Sequence, residues 1–424
     1  REAGALNDGA FFAGHSLGEY NALSAYADSL DLETVLELVF HRGTTMHNLV
    51  PRDEQGRSNY RMGALRPNQF GVGDDGVREY VASVAEKTGE FLEIVNFNLE
   101  GQQYAVAGTV AGVKALEKDA NQRSVEAGGK GAFMLVPGID VPFHSAVLHD
   151  GVPDFRAKLQ ELVPQTIDPT VLVGRYIPNL VARPFELTED FLKSILDVVP
   201  SEPVQKIADE WADWSAKLAD DAQCDAAAQE LTRELLIELL CWQFASPVRW
   251  IETQSLLLGA KSNGPNIDAA TSGATPVEEY IEIGLGAAPT LANLGAKTLS
   301  LPGFANSLSI VRNVQRDEAA VYHEDVRTID LPESTDLEDA TASAEELVAD
   351  QASEAGAVAD AEAAGDMDNA PAQAQEPAAP AAAPAAAMPA APAGNAADNP
   401  ELDFTAADAL RTLLAYAAKV RLDQ

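Results

Sequence analysis

The segment from Phe11 to Tyr20 constrains the fold of this chain most strongly. It carries the sequence Gly14-His15-Ser16-Leu17-Gly18 between an apolar run and a helical pattern. A Gly-x-Ser-x-Gly sequence in this setting predicts a strand that enters a sharp turn and a helix that leaves it. We expect Gly14 and Gly18 to let the strand and the helix approach closely, because side chains there would clash across the turn. The segment therefore favours an α/β fold.

Ser16 is the candidate nucleophile of this turn. Its hydroxyl would stand above the edge of a sheet, and the free N–H groups of the helix N-terminus would face any oxyanion formed there. A serine in an ordinary tight turn is the alternative, since so short a motif also occurs by chance.

A second pattern runs through residues 62–139. Short apolar runs at 91–95, 104–108 and 133–136 alternate with helical patterns at 77–87 and 110–126. The order β-α-β-β-α-β predicts a ferredoxin-like α+β subdomain inserted into the main fold.

The rest of the chain divides by composition. Residues 1–61 and 140–323 are predicted to form the α/β core, with a strand at 171–180 returning to its sheet. Residues 324–400 are acidic and then rich in Ala and Pro, which predicts a disordered linker. Helical periodicity returns in residues 401–424.

Charge and cysteine content narrow the function. The chain of 424 residues has a net charge of −37, which argues against nucleic acid and anionic membrane as partners. Its two cysteines, Cys224 and Cys241, fit a reducing compartment rather than a disulfide scaffold, and their surroundings offer no metal-ligand spacing. No apolar run approaches the length of a membrane span, and no signal peptide is visible. We expect a cytoplasmic protein without a bound metal.

A serine hydroxyl needs a base to take its proton, and the sequence has six histidines. His15 adjoins Ser16, but a neighbour in a sharp turn points away. His41 and His47 lie on an amphipathic helix, His149 begins a helix, and His323 borders the linker. His144 follows a predicted strand in a proline-containing loop, where active-site loops gather in α/β folds. Position alone leaves open whether His144 is the base or a surface residue.

Arg42 lies near the end of the second predicted helix. A fixed guanidinium suits bidentate binding of a carboxylate. On position alone, a solvated arginine near a helix C-terminus is the better explanation.

Five segments together resemble the acyl-CoA:carrier-protein acyltransferases. The resemblance is to the malonyl/palmitoyl transferase region of bacterial and fungal type I fatty acid synthases, and Tyr176-Ile177-Pro178-Asn179-Leu180 fits that version well. The segments are Gly14-His15-Ser16-Leu17-Gly18-Glu19, His41-Arg42-Gly43-x-x-Met46, Asn96-x-Asn98-x-x-x-Gln102, Val141-Pro142-Phe143-His144-Ser145 and Glu282-Ile283-Gly284. The resemblance implies a hydrolase-like parallel-sheet core carrying the inserted subdomain.

The resemblance implies a role for each candidate residue. Ser16 would form the acyl ester with His144 as its base, and Arg42 would pair with the free carboxylate of malonyl. The backbone N–H of Leu17 would contribute to the oxyanion hole.

Three further residues would support this site. Gln243 would orient His144 through an acceptor group, and Asn98 would support the site from the inserted subdomain. When palmitoyl is bound, Arg42 would be displaced or shielded by apolar neighbours such as Phe143.

The resemblance also implies substrates and partners. Malonyl-CoA and palmitoyl-CoA would exchange acyl groups with an acyl carrier domain inside a large homo-oligomeric synthase. Residues 401–424 resemble the truncated first helix of that carrier domain, and its phosphopantetheinylated serine would lie beyond Gln424. No cofactor would be bound by this chain itself. The family's second oxyanion donor is a glutamine in a glycine-flanked loop, which we expect upstream of Arg1.

Two other functions are compatible with the turn around Ser16. A serine hydrolase or thioesterase of the α/β-hydrolase or patatin type shares it, but needs neither Arg42 nor the inserted subdomain. A non-catalytic scaffold segment of a large synthase is the other alternative, and an intact set of Ser16, His144 and Arg42 argues against it.

Overall fold

The computed structural model describes residues 9–259, 276–284 and 289–322. The predicted linker and the predicted terminal helix lie outside these residues. Within them, no helix is both long enough and apolar enough to cross a membrane.

A four-stranded antiparallel sheet forms the first structural layer. Its strands lie in the order β2-β3-β1-β4. They are β1 (Tyr60–Leu65), β2 (Leu92–Leu99), β3 (Gln103–Thr109) and β4 (Phe133–Leu135). The helices α3 (Asp74–Thr88) and α4 (Val110–Glu126) connect them, and their apolar side chains share one buried cluster with residues of the sheet. This order and connectivity confirm the predicted ferredoxin-like subdomain.

Helices dominate the remainder of the described chain. The first two are α1 (Leu17–Asn21), which continues into a π-helix at Ala22–Tyr26, and α2 (Leu32–Leu49). Asp31 caps α2 by accepting a hydrogen bond from the Thr34 N–H. The others are α5 (Val152–Leu162), α6 (Glu189–Leu196), α7 (Glu202–Asp209), α8 (Trp211–Leu218), α9 (Cys224–Gln243), α10 (Trp250–Leu258), α11 (Thr290–Leu299) and α12 (Glu318–Val321).

The helix α9 is the central element of the largest buried core. From Leu235 to Gln243 every residue of α9 is buried, so this half of the helix packs against protein on all sides. Phe12 and Tyr20, which flank the serine turn, belong to the same core. The turn around Ser16 is therefore held on both sides by well-packed residues.

Parallel pairing gives the core its α/β character. The strands β5 (Glu279–Glu282) and β6 (Ile310–Asn313) pair in parallel, and Phe12 forms a parallel bridge with Tyr176. The predicted strand at 171–180 is wrong in extent, because only Tyr176 of this segment pairs. The segment begins with a 3-10 turn at Pro169–Val171 and remains a chain of turns up to the bridge.

The inserted subdomain is joined to the core through β2. Asn96 forms a parallel bridge with Val248. The Phe97 N–H donates to the Val248 carbonyl at 3.0 Å, and the Val248 N–H donates to the Val95 carbonyl at 2.9 Å. Gln254 of α10 donates to the carbonyl of Asn98 at 2.9 Å. These bonds fix the end of β2 beside the serine turn.

Candidate active site

Ser16 sits in a sharply strained turn. Its backbone has φ 52° and ψ −112° and forms the N-cap of α1. Gly14 is required on steric grounds, because a Cβ there would lie 2.0 Å from the backbone C and O of Gly18. The same expectation for Gly18 is wrong, since a Cβ there would meet nothing within 4 Å.

Ser16 and His144 share an uncommon backbone conformation. Within the described residues, four non-glycine residues have positive φ, namely Ser16, Asp28, His144 and Ala182. Such conformations cost about 1–3 kcal/mol each and persist where the surrounding structure enforces them. Two of these four residues face each other, which marks the pair as a candidate functional site.

The side chains of Ser16 and His144 are hydrogen-bonded. Ser16 Oγ lies 2.7 Å from His144 Nε2. On the other side of the ring, His144 Nδ1 lies 2.9 Å from the Gln243 carbonyl and 3.2 Å from the Ser246 carbonyl. Because carbonyl oxygens only accept hydrogen bonds, Nδ1 must carry the proton in the neutral ring. The lone pair of Nε2 then faces the serine hydroxyl.

Burial keeps His144 in this neutral form. The side chain is buried, and desolvation lowers its pKa from 6.5 to about 3, with the nearby positive charge of Arg42 acting in the same direction. An unprotonated imidazole beside the hydroxyl is the state that a general base needs.

Arg42 reaches the same point from α2. Its Nη2 lies 3.2 Å from Ser16 Oγ, and its guanidinium stands 5.7 Å from the ring centroid of Tyr20. The residue is 7% exposed, so it is not the solvated arginine that its position alone suggested. Its Nε makes no hydrogen bond within the described residues. Burial lowers the pKa of Arg42, while Tyr20 and Glu19 oppose that shift.

Gln243 ends α9 beside both residues. Its contact with His144 is made by the main-chain carbonyl, whereas its side-chain Nε2 donates to the Ser16 carbonyl at 2.7 Å and to Glu19 Oε2 at 2.8 Å. The acceptor group expected from Gln243 is thus its backbone, and its amide binds the serine turn instead.

Sequence reasoning missed Glu19 and Asn179 as parts of the site. Glu19 is 1% exposed and accepts hydrogen bonds from the hydroxyl of Tyr176, the N–H of Asn179 and the amide of Gln243. Asn179 Oδ1 accepts from the Ser16 N–H at 2.8 Å, and Asn179 Nδ2 donates to the Gly14 carbonyl at 2.6 Å. Both residues lie in segments that carried the resemblance, but no spacing rule links them to Ser16.

Asn98 and His15 join the inserted subdomain to the turn. Their side chains are 3.0 Å apart, with His15 Nε2 facing Asn98 Oδ1, and the His15 ring packs edge-on against Trp250. Burial lowers the pKa of His15. His15 thus contacts the inserted subdomain, while His144 holds the serine hydroxyl.

The other predicted site residues surround this centre. Leu17 is the first residue of α1, and its N–H belongs to the groups that a helix leaves without an intrahelical acceptor. Phe143 is half-buried and packs against the main core and against a cluster of Met62, Val95 and Ala107. Within the described residues, no group of His, Cys, Asp or Glu could hold a metal ion.

The comparison with known families agrees with this geometry. A family model for the acyl transferase domain matches residues 2–127. This match spans less than a third of the chain. The matched segment includes Ser16, Arg42 and Asn98, whereas His144 and Gln243 lie beyond it.

Fungal fatty acid synthases are similar to this chain over a longer stretch. Fatty acid synthase 2 of Mycosarcoma maydis is 35% identical over 336 residues, which cover 71% of this chain and 8% of that protein. Fatty acid synthase subunit beta of Saccharomyces cerevisiae is 36% identical over 253 residues, which cover 50% of this chain and 12% of that protein. The resemblance to the type I synthases is thereby confirmed, although the chain spans only about a tenth of these relatives.

Solved malonyl transferases are also similar in structure. FabD from Acinetobacter baumannii has a TM-score of 0.44 and 23% identity, covering 73% of this chain and 71% of that chain. A malonyl-transacylase solved in complex with its type II polyketide acyl-carrier protein has a TM-score of 0.48 and 20% identity, covering 76% and 75%.

Proposed function

We propose that this domain transfers malonyl groups between CoA and an acyl carrier protein through an acyl ester on Ser16. His144 is the general base, Arg42 binds the free carboxylate of malonyl, and the Leu17 N–H donates to the oxyanion. Malonyl-CoA is the donor, and the thiol of a carrier's phosphopantetheine is the acceptor.

The position of Arg42 carries this proposal. A buried guanidinium 3.2 Å from the serine hydroxyl is the structural feature that an ordinary ester hydrolase does not need. Its charge is desolvated, which strengthens attraction to a carboxylate. A malonyl thioester brings such a carboxylate two bonds from the carbonyl under attack, so one residue both orients the acyl chain and selects it.

The first half-reaction follows from the neutral form of His144. As Ser16 Oγ attacks the thioester carbon, its proton passes to His144 Nε2. The resulting imidazolium is stabilised by the Gln243 and Ser246 carbonyls at Nδ1. The carbon–sulfur bond then breaks, and CoA leaves as a thiol with the proton from Nε2.

The second half-reaction uses the same groups in reverse. His144 takes the proton of the carrier thiol, and the sulfur attacks the carbonyl of acyl-Ser16. The carbon–oxygen bond of the ester breaks, and Ser16 Oγ recovers the proton from His144. Two successive substrates thus use one site, which predicts ping-pong kinetics.

The wider setting of the reaction belongs to the same proposal. We propose that the domain works within a cytoplasmic type I fatty acid synthase and returns palmitoyl groups to CoA, with Phe143 and Asn98 supporting the site. The division into a core of residues 1–61 and 140–323 and an insert of residues 62–139 is part of it. The names of the fungal relatives support this setting.

Arg42→Ala tests the proposal directly. We expect malonyl transfer to fall by about 10²-fold or more while palmitoyl transfer changes far less, because only malonyl carries a second carboxylate. The measurement is the formation of acyl-enzyme from each radiolabelled CoA ester, with Ser16→Ala as the unlabelled control. Equal losses for both esters would contradict the proposal. Release of free malonate in preference to transfer to a thiol would favour a hydrolase.

A further inference from the structure

Two side chains hold the backbone of Ser16 from opposite sides. The Ser16 N–H donates to Asn179 Oδ1 at 2.8 Å, and the Ser16 carbonyl accepts from Gln243 Nε2 at 2.7 Å. These bonds act on Ser16, the residue of the turn whose backbone is strained, with φ 52°. Strain of this kind persists only where neighbouring groups impose it.

Both holding residues are themselves bonded to Glu19. Glu19 Oε2 accepts from Gln243 Nε2 at 2.8 Å, and Glu19 Oε1 accepts from the Asn179 N–H at 3.1 Å and from the Tyr176 hydroxyl. Glu19 thereby connects α1, the segment after the Phe12–Tyr176 bridge, and the end of α9. Asn179 and Gln243 come from parts of the chain that are more than 60 residues apart, so their alignment on Ser16 needs a common partner.

We propose that Glu19 is a positioning residue for acyl transfer. Its carboxyl group fixes the positions of Asn179 and Gln243, whose side chains bind the Ser16 backbone, and so keeps Ser16 Oγ aligned with His144 Nε2. This inference rests on the proposed function, because it assigns Glu19 a part in the reactivity of Ser16.

Glu19 acts as a hydrogen-bond acceptor in each of these contacts. All three neighbours, Tyr176 Oη, Asn179 N and Gln243 Nε2, present donors. An amide in place of the carboxylate would turn one of its two acceptor atoms into a donor. Facing Gln243, it would oppose the amide that binds the Ser16 carbonyl. Facing Tyr176 and Asn179, it would oppose the Asn179 N–H.

The same contacts connect Glu19 to the base. Gln243 uses its amide for Ser16 and Glu19, and its own carbonyl accepts from His144 Nδ1 at 2.9 Å. A shift of Gln243 would therefore move the two reacting side chains relative to each other. Displacements of about 1 Å in such pairs cost up to about 100-fold in rate.

Glu19→Gln tests this inference, with Glu238→Gln as a matched control. Glu238 is also 1% exposed and lies on α9, but it accepts hydrogen bonds from Arg156 and Ser201 and not from the groups that hold Ser16. We expect both variants to lower the melting temperature. We expect only Glu19→Gln to slow labelling of Ser16 by a fluorophosphonate, by about 10- to 100-fold, and to lower kcat for malonyl transfer with KM within about twofold.

The outcomes separate the inference from the proposed function. If the wild-type protein is labelled at Ser16 and Glu19→Gln is labelled at the same rate, the role of Glu19 is overturned while the proposed function stands. The same holds if Glu238→Gln slows labelling as much as Glu19→Gln does. A wild-type protein that is not labelled at Ser16 would overturn the proposed function and this inference with it. Should Glu19→Gln fail to fold, Tyr176→Phe removes one donor to the same carboxylate. Slower labelling of that variant relative to Glu238→Gln supports the inference, and an unchanged rate overturns it.

Discussion

His144 donates its Nδ1 hydrogen to the main-chain carbonyl of Gln243 across 2.9 Å. The orientation of the His144 ring is therefore set by a main-chain carbonyl, and a substitution at position 243 leaves that carbonyl in place. Gln243→Ala removes the bonds to Ser16 and Glu19 but keeps the carbonyl at His144. We expect it to reduce acyl transfer by about tenfold, and His144→Ala to reduce it by about 10²–10⁴-fold. Steady-state kcat for malonyl transfer is the measurement, and equal losses would assign the orientation of His144 to the amide side chain.

The pKa of His144 predicts the acid limb of the pH profile. Burial and Arg42 lower that pKa to about 3, so the base stays unprotonated well below the usual histidine range. We expect titration of His144 to leave kcat/KM for Ser16 acylation unchanged as the pH falls through 6.5 and to lower it only at more acidic pH, whereas burial raises the pKa of Glu19 to about 7, so a decline near neutral pH is assigned to Glu19. Removing the positive charge in Arg42→Ala should move the decline toward higher pH. A limb near pH 6.5 that persists in Glu19→Gln would show that His144 is solvated, because that variant removes the titration of Glu19.

The two glycines of the turn are expected to differ in their tolerance of alanine. Gly14→Ala places a Cβ 2.0 Å from the Gly18 backbone, so the strand or α1 must shift. We expect the free energy of unfolding to drop by about 3 kcal/mol. Gly18→Ala adds a methyl group to open space within α1 and should stabilise the helix by up to about 1 kcal/mol. Chemical denaturation of both variants measures this difference. A similar loss in the free energy of unfolding for both would show that a side chain at position 18 also clashes with its surroundings.

The buried ion pair of α9 predicts a loss of stability without loss of chemistry. Glu238 accepts from Arg156 Nε at 2.5 Å and Nη2 at 2.9 Å, and from Ser201 Oγ at 2.7 Å. Glu238→Ala leaves Arg156 without its partner, which costs about 3–5 kcal/mol. Thermal unfolding should show this loss, and the folded variant should keep wild-type kcat. If kcat of this variant falls at temperatures where it is still folded, then residues of α9 other than Gln243 also influence the active site.

The sequence predicted the inserted subdomain well because its order is local. The helix at Val110–Glu126 coincides with the predicted one, and buried and half-buried residues alternate along β2 from Val95 to Leu99. The segment 171–180 was harder, because its pairing depends on Phe12, far away in the chain. A segment that pairs through a single bridge has no alternation of apolar and polar residues from which a strand could be predicted.

The site was predictable only where a motif carried the chemistry. Ser16, His144 and Arg42 each lie in a segment with a recognisable pattern, and the structure brings them together. The network of Glu19, Tyr176 and Asn179 joins positions up to 160 residues apart. A buried glutamate in a short helix reads as a surface residue until its partners are known, so folding alone reveals it.

The positive φ angles of Ser16 and His144 have a consequence for selection. Glycine adopts these conformations without strain, whereas serine and histidine raise the energy of the folded state. Glycine at either position would relieve that strain while removing a reacting side chain. Screening variants for thermal stability alone would therefore select against the reacting side chains at these two positions, and their retention in a population of variants would record selection for the chemistry of this site.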